Sequence, residues 1–142
     1  MNSSVSALPL STLSPANEAL TLRLPSSLQL KQQLPLSNAL SRQVAAHRDA
    51  VRAILNGEDS RLLVIVGPCS IHDPQSALEY ATHLARLATD VSDEMLLVMR
   101  AYVEKPRTTV GWKGLAYDPH LDGSDDMAGG LMLSREPMLE TI

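Results

Sequence analysis

The only cysteine of this 142-residue chain follows a short apolar run that ends in a Gly-Pro break. Cys69 stands after L-L-V-I-V-G-P at 62–68, and its thiol has three interpretations: an inert buried group, a nucleophile or a metal ligand. His72 completes a C-x-x-H pair, but a metal needs roughly three or four protein ligands. Any metal site at Cys69 would therefore take its other ligands from distant positions or from outside this chain.

A second candidate site is a basic segment between positions 100 and 113. It has one acid, Glu104, and four basic residues: Arg100, Lys105, Arg107 and Lys113. Arginine offers a planar fork that fits phosphate or carboxylate, lysine adds a compact positive charge, and Thr108 adds a hydroxyl donor. The segment thus suits an anion site. The alternative is a solvated loop whose charges pair with four downstream carboxylates: Asp118, Asp122, Asp125 and Asp126.

The elements that position these residues are predicted from two apolar runs without polar alternation. Leu62–Val66 and Met95–Met99 are typical of parallel strands that are covered on both faces. Asp73-Pro74 is typical of a helix start, and apolar residues at helical spacing predict a helix from Pro74 to about Thr89. Strand, helix and strand form a βαβ unit with adjacent parallel strands. Because chemistry in α/β proteins collects at the carboxyl ends of such strands, both candidate sites lie where function is expected.

The N-terminal part of the chain changes character several times. Residues 1 to about 18 show no period and predict a tail, whereas Leu20–Leu24 alternates polar and apolar residues and predicts a short, isolated strand. A short helix is expected over Ser26–Gln33, and Ser37 is a suitable N-cap for a helix that ends near Asn56. The apolar stripe of that longer helix comprises Leu40, Val44, Val51, Ile54 and Leu55.

The C-terminal part of the chain predicts one more helix, from about Ala128 toward Ile142, which Pro137 would interrupt or delimit. Two parallel strands cannot close a barrel or complete an open sheet, and both strand edges stay unpaired. We therefore expect this chain to be the beginning of a larger protein.

Composition limits the class of partner. A net charge of −4 and a pI near 5.5 argue against a nucleic-acid or anionic-membrane surface. No apolar run approaches the ~18 residues of a membrane helix, and the first twenty or so residues lack the pattern of a secretory signal. A single cysteine excludes an intrachain disulfide and suits a reducing cytoplasm. We expect a cytoplasmic protein with no nucleic-acid or membrane partner.

Three motifs resemble those of the type I 3-deoxy-D-arabino-heptulosonate 7-phosphate (DAHP) synthases. They are G-P-C-S-I-H-D-P at 67–74, M-R-A-Y-V-E-K-P-R-T-T-V-G-W-K-G at 99–114 and D-P-H-L-D-G-S at 118–124. They stand in the family's order and spacing within a resemblance that spans about Leu34 to Leu133. The sequence departs from the family pattern at Ala101 and Val103, where valine and phenylalanine are usual, and these positions shape packing more than charge.

The resemblance implies a fold and a reaction. The fold is a (β/α)₈ TIM barrel, of which residues 37–142 would be the leading helix and first βαβ portion, with residues 1–36 as a tail and regulatory arm. The reaction is the condensation of phosphoenolpyruvate with erythrose 4-phosphate at the entry to the shikimate pathway and aromatic amino-acid biosynthesis. The full-length protein would be a homo-oligomer that tyrosine or phenylalanine inhibits.

The resemblance also implies roles for individual residues. Cys69 matches a ligand of the family's divalent metal, whose identity stays open among Mn, Fe, Co and Zn. Arg100 and Lys105 match residues that hold phosphoenolpyruvate and carry the catalysis. Lys105, Arg107 and Thr108 match the erythrose 4-phosphate site. The family's remaining metal ligands lie farther along the sequence and are absent here.

Two other interpretations stay open. One is a related synthase that joins phosphoenolpyruvate to a different sugar phosphate, which the K-P-R-T stretch at 105–108 disfavours. The other is a catalytically inactive fragment or an interaction module, because a (β/α)₈ barrel needs roughly 250 residues. On either account we expect the 142-residue chain alone to lack synthase activity.

Overall fold

The computed structural model describes residues 24–107 and 110–140. The elements in these ranges are α1 (Ser27–Gln33), α2 (Asn38–Leu55), β1 (Leu62–Val66), α3 (Pro74–Asp90), β2 (Met95–Met99) and α4 (Met127–Glu140). The strand predicted at Leu20–Leu24 lies outside the described residues except for Leu24, which is exposed and not part of a strand.

The two strands form a parallel pair, as the apolar runs predict. Leu62 is opposite Met95, and the register continues without a bulge to Val66 opposite Met99. α3 connects them, so the βαβ prediction is confirmed. The expected cover on both faces is not present, because Leu62 is 61% exposed and Ile65 is 67% exposed. Within the described residues, β1 lacks a layer over these side chains.

Each of the first three helices begins at a residue whose side chain satisfies free backbone N–H groups. Ser26 and Gln29 form a capping box at the start of α1, and the Ser37 hydroxyl accepts a hydrogen bond from the Leu40 N–H at the start of α2. The Asp73 carboxylate accepts from the N–H groups of Gln75 and Ser76 at the start of α3. These short-range signals are why the sequence predicts the three helix starts closely.

Two expectations for the helices are wrong. Leu55, predicted on the apolar stripe of α2, is 73% exposed, and α2 has no buried residue. Pro137 neither interrupts nor ends α4, which continues to Glu140. A proline inside a helix loses one backbone hydrogen bond, but Pro137 is buried, so its packing offsets that loss.

The small core lies beyond the carboxyl ends of the strands, not between the sheet and the helices. Ile71, Ala77 and Leu115 are its buried members, and Val103 and Trp112 pack against them. Four of these five residues belong to the loops that follow β1 and β2, and Ala77 belongs to α3. The core therefore supports the loops that carry the candidate site.

No helix in the described part of the chain is long and apolar enough to cross a membrane.

Candidate active site

The loops after β1 and β2 continue side by side past the ends of the strands. The Arg100 N–H donates to the Val66 carbonyl (2.8 Å), and the Ile71 N–H donates to the Tyr102 carbonyl (2.7 Å). Gly67 lies at the point of closest approach, since a Cβ there would be 2.7 Å from the Arg100 carbonyl oxygen. The pairing brings the segment around Cys69 beside the first residues of the basic segment.

Cys69 and Lys105 are in direct contact. The Lys105 Nζ lies 3.4 Å from the Cys69 Sγ, and the thiol is exposed. The hydrogen bond and the positive charge of Lys105 lower the pKa of the Cys69 thiol, with a smaller contribution from Arg100. Cys69 is therefore an accessible thiol with increased thiolate character, which excludes the inert buried interpretation.

Backbone pairing within the basic segment places Lys105. Its N–H donates to the Lys113 carbonyl (2.7 Å), and the Ala116 N–H donates to the Val103 carbonyl (3.1 Å). Gly114 permits this approach, because a Cβ there would lie 2.5 Å from the Val103 carbonyl oxygen. Residues 103–105 thus lie against residues 113–116, and Lys105 is held next to the loop that follows β1.

The other predicted anion-binding residues surround this point. The Arg100 guanidinium donates to the Pro68 carbonyl (3.3 Å), and its Cζ lies 5.2 Å from the centre of the Tyr102 ring. The Arg107 side chain passes over Gly111, where a Cβ would be 3.3 Å from its Cδ and Nη1. Thr108 lies outside the described residues.

The described residues of the basic segment form no ion pair with the downstream aspartates. Ion pairs within residues 24–107 and 110–140 join Arg52 to Asp49 and Arg61 to Asp59, and the His120 Nε2 lies 3.7 Å from the Asp126 Oδ2. Asp118 is only 7% exposed, and its Oδ2 accepts from the Gly123 N–H (3.2 Å). The interpretation as a solvated loop neutralised by these carboxylates is therefore wrong for the described residues. The positive charge around Cys69 stays available for an anion.

Trp112, which anchors the loop formed by residues 111–118, was not identified from the sequence. The Trp112 Nε1 donates to the Asp118 backbone carbonyl (2.7 Å), and the ring packs against the Ile71 and Leu115 core. The single tryptophan between Gly111 and Lys113 was the available signal, since an isolated large aromatic residue in a glycine-rich loop suggests an anchor.

Of the described residues, Cys69 could serve as one ligand of a metal site, but they do not form a complete site. An accessible thiolate suits Zn²⁺ and other borderline or soft divalent metals. Across residues 24–107 and 110–140, the His, Cys, Asp and Glu side chains form no group of three or more that could hold a metal ion. The described residues therefore supply Cys69 at most.

Comparison with known proteins adds independent observations. Residues 31–137 match the model of the DAHP synthetase I family. The chain is 55% identical over 114 residues to the Tyr-sensitive phospho-2-dehydro-3-deoxyheptonate aldolase of Salmonella typhimurium, which covers 80% of this chain and 32% of that relative. It is 50% identical over 111 residues to the Phe-sensitive aldolase of Escherichia coli, covering 78% and 32% respectively.

A solved structure is also similar. The phospho-2-dehydro-3-deoxyheptonate aldolase of Francisella tularensis matches with a TM-score of 0.75 and 44% identity, over 79% of this chain and 33% of that one. The chain thus spans about a third of the length of these relatives.

Proposed function

The chain belongs to the DAHP synthetase I family, and from this premise we propose that it supplies part of the active site of a 3-deoxy-7-phosphoheptulonate synthase. Such an enzyme, a transferase, condenses phosphoenolpyruvate with erythrose 4-phosphate to give DAHP and inorganic phosphate. The reaction is the first step of the shikimate route to chorismate and the aromatic amino acids. The observation that carries the proposal is the convergence of Arg100 and Lys105 on Cys69 at the carboxyl ends of two parallel strands.

The basic residues suit two anionic substrates. We assign Arg100 and Lys105 to phosphoenolpyruvate, and Lys105, Arg107 and Thr108 to the phosphate of erythrose 4-phosphate. Guanidinium and ammonium groups offset the repulsion between the substrates and hold the reacting carbons close together. Because Lys105 is assigned to both substrates, it is the residue whose loss should affect both of them.

The reaction forms one carbon–carbon bond. C3 of phosphoenolpyruvate attacks the aldehyde carbon of the sugar phosphate, water adds at C2, and phosphate leaves as the C2–O bond breaks. A bound divalent metal would polarise the aldehyde carbonyl and stabilise the alkoxide that develops there. In this chain, Cys69 would hold that metal, and Lys105, in contact with the thiol, would keep the thiol deprotonated and ready to bind.

We also propose that the βαβ unit is the first part of a (β/α)₈ barrel, with residues 37–142 in the barrel and residues 1–36 as a regulatory arm. The similarity to a third of the Francisella tularensis protein supports this assignment. The exposed side chains of β1 and the unpaired edges of the two-stranded sheet are the surfaces that further strands and helices of a barrel would cover. The other metal ligands would come from that remainder.

The N-terminal arm contacts α4 in the described structure. The Arg135 Nε donates to the Leu34 carbonyl (3.0 Å), and an open groove lies between Leu24, Pro25 and α1 on one side and α4 on the other. We propose that the arm takes part in inhibition by an aromatic amino acid, with homo-oligomerisation completing that site. Relatives that are named Tyr-, Phe- and Trp-sensitive support an aromatic effector.

We propose a cytoplasmic location for the protein, because its single free thiol, whose pKa is lowered, suits a reducing compartment.

A chimera tests the proposed function. Residues 1–140 would be joined to the remaining two thirds of the Escherichia coli Tyr-sensitive relative at the matching position. With both substrates and Mn²⁺, we expect this completed synthase to form DAHP and the 142-residue chain alone to form none. A folded chimera that forms no DAHP would refute the proposal, and a preference for a five-carbon sugar phosphate would favour the related synthase.

Substitutions in the completed synthase test the residue assignments. Cys69→Ser should weaken metal binding and lower turnover, because a thiolate is replaced by a poorer ligand, while His72→Ala, three residues away and outside the proposed site, should keep both. Arg100→Met should raise KM for phosphoenolpyruvate. Unchanged metal affinity in Cys69→Ser would remove that residue from the site.

The second candidate is an inactive interaction module, which the exposed apolar side chains of Leu62 and Ile65 in β1 favour. On that account the chain would bind the separately expressed remainder of a relative without restoring activity. Restored DAHP synthesis would contradict the module interpretation.

A further inference from the structure

We propose that Trp112 is a positioning residue, which holds Lys105 against Cys69 through its hydrogen bond to the Asp118 carbonyl. The inference rests on the proposed function only in giving Lys105 its role with substrates, and the contacts that carry it are independent of that role. Trp112 itself contacts neither Cys69 nor a proposed substrate group, so it would act through the backbone of its own loop.

The receiving end of the hydrogen bond is fixed. Asp118 is buried, its N–H donates to the Gly114 carbonyl (3.1 Å), and its Oδ2 accepts from the Gly123 N–H (3.2 Å). The Trp112 N–H therefore bonds to the carbonyl of a buried residue that two further hydrogen bonds hold in place. The ring is also partly buried against Ile71 and Leu115, so the indole is held at two places.

The loop that Trp112 anchors also contacts Lys105 directly. The carbonyl of Lys113, the next residue after Trp112, accepts a hydrogen bond from the Lys105 N–H (2.7 Å). On the opposite side, Gly111 lies under the Arg107 side chain. Holding Trp112 in place therefore also holds Lys113, which contacts Lys105, and Gly111, which contacts Arg107. Without the indole hydrogen bond, residues 111–113 can rotate about the core contact, and the Lys105 ammonium can leave the thiol.

The chain offers a direct readout, because it has one cysteine and one tryptophan. The alkylation rate of Cys69 with iodoacetamide reports the ammonium beside the thiol, since thiolate is the reactive form. In the 142-residue chain with a chelator present, we expect Lys105→Met to slow alkylation at pH 7.5 by about threefold, allowing for the greater intrinsic reactivity of a higher-pKa thiolate. Trp112→Phe, which keeps an aromatic side chain but replaces the indole by a smaller ring without the N–H donor, should slow alkylation by most of the same factor.

The controls separate positioning from general stability. Tyr80→Phe removes a polar group from an aromatic side chain of α3 and should alkylate at the wild-type rate. A merely structural Trp112 would lower the melting temperature in Trp112→Phe and leave alkylation, measured well below melting, unchanged. If Trp112→Phe does not fold, replacement of Trp112 by benzothienylalanine, an isostere with sulfur in place of the N–H, decides the question.

Two results would overturn the proposal. One is an alkylation rate equal to that of the wild type in the variant that lacks the indole N–H, while Lys105→Met is alkylated slowly. The other is wild-type alkylation in Lys105→Met, which would show that the ammonium is not held at the thiol. None of these measurements uses substrate, metal or synthase activity, so an inactive chimera would count against the proposed function and not against this inference.

Discussion

The Lys105 ammonium lies 3.4 Å from the Cys69 sulfur, although 36 positions separate the two residues in the sequence. The contact depends on three successive features: the parallel register of β1 and β2, the continued pairing of the loops after them, and the fold-back of residues 113–116 onto residues 103–105. It turns two separate sequence observations, a lone cysteine and a basic segment, into one site.

The first prediction concerns the pH dependence of Cys69. Lys105 stabilises the thiolate, so the alkylation rate should reach its midpoint below the ordinary thiol pKa of about 8.5, and Lys105→Met should move the midpoint upward. The measurement is the alkylation rate from pH 5 to 10. Lys113→Met, which removes an exposed lysine of the same segment, is the matched control. Superimposable profiles for wild type and Lys105→Met would contradict the assignment.

The second prediction concerns Gly114. A Cβ at this position would lie 2.5 Å from the Val103 carbonyl oxygen and 2.6 Å from the Glu104 Cα, and both are backbone atoms that no side-chain rotation can move. Since φ is also +118°, Gly114→Ala should open the pairing of residues 103–105 with residues 113–116. We expect the melting temperature to fall by roughly 10 °C and Cys69 alkylation to slow.

Gly57→Ala is the comparison for that variant. Gly57 has a positive φ of +76° but no atom within 4 Å of a built Cβ, so alanine there adds backbone strain without a clash. It should lower the melting temperature by roughly half as much and leave alkylation unchanged. Equal alkylation rates in the two variants would show that Gly114 does not control the position of Lys105.

These variants mark where sequence reasoning succeeds and where it fails. The strand bounds and the Asp73-Pro74 helix start follow from local patterns, so they could be predicted from residues a few positions apart. The burial of Asp118 and its hydrogen bond to Trp112 could not be predicted. Nothing in the local sequence distinguishes an aspartate that is exposed to solvent from one that is buried within a folded loop. The prediction that Pro137 interrupts or delimits the helix is wrong for a related reason: local propensity disfavours proline in a helix, but burial of the ring outweighs that preference.

The third prediction concerns Asp73 and acid. Hydrogen bonds from the Ser76 side chain and N–H, with a further bond from the Gln75 N–H, lower the pKa of the Asp73 carboxyl in the folded chain. Its contribution to stability is therefore complete above the unfolded pKa of about 3.9 and is lost as pH falls through the folded value. At pH 7, Asp73→Ala should melt roughly 5 °C below wild type, and the difference should shrink in acid.

Asp73→Asn separates the cap from the charge. Asparagine is an equally good N-cap but does not titrate, so this variant should melt near wild type at pH 7 and show less sensitivity to acid. Thermal unfolding followed by circular dichroism at pH 7 and pH 3 measures both effects. A wild-type and an asparagine variant with the same acid sensitivity would show that Asp73 ionisation does not contribute.

The fourth prediction concerns the N-terminal arm in the completed synthase. Removal of residues 1–33 deletes α1 and with it one side of the groove against α4. We expect feedback inhibition by tyrosine or phenylalanine to disappear and much of the catalytic rate to remain, because Arg100, Lys105 and Cys69 are untouched. Inhibition curves for the intact and shortened chimeras provide the measurement. Unchanged inhibition after the deletion would rule out a regulatory role for the arm.

The exposed apolar side chains of β1 affect how the folding of this chain should be measured. Naphthalene-sulfonate dyes brighten on exposed apolar surface, and their fluorescence is commonly taken as a sign of a molten globule. Here Leu62 and Ile65 offer such surface in the fully ordered strand, so a bright dye signal would come from the native chain. The near-ultraviolet circular dichroism of Trp112, whose ring is fixed by the core and by Asp118, is the signal that separates the folded chain from a loosely packed one.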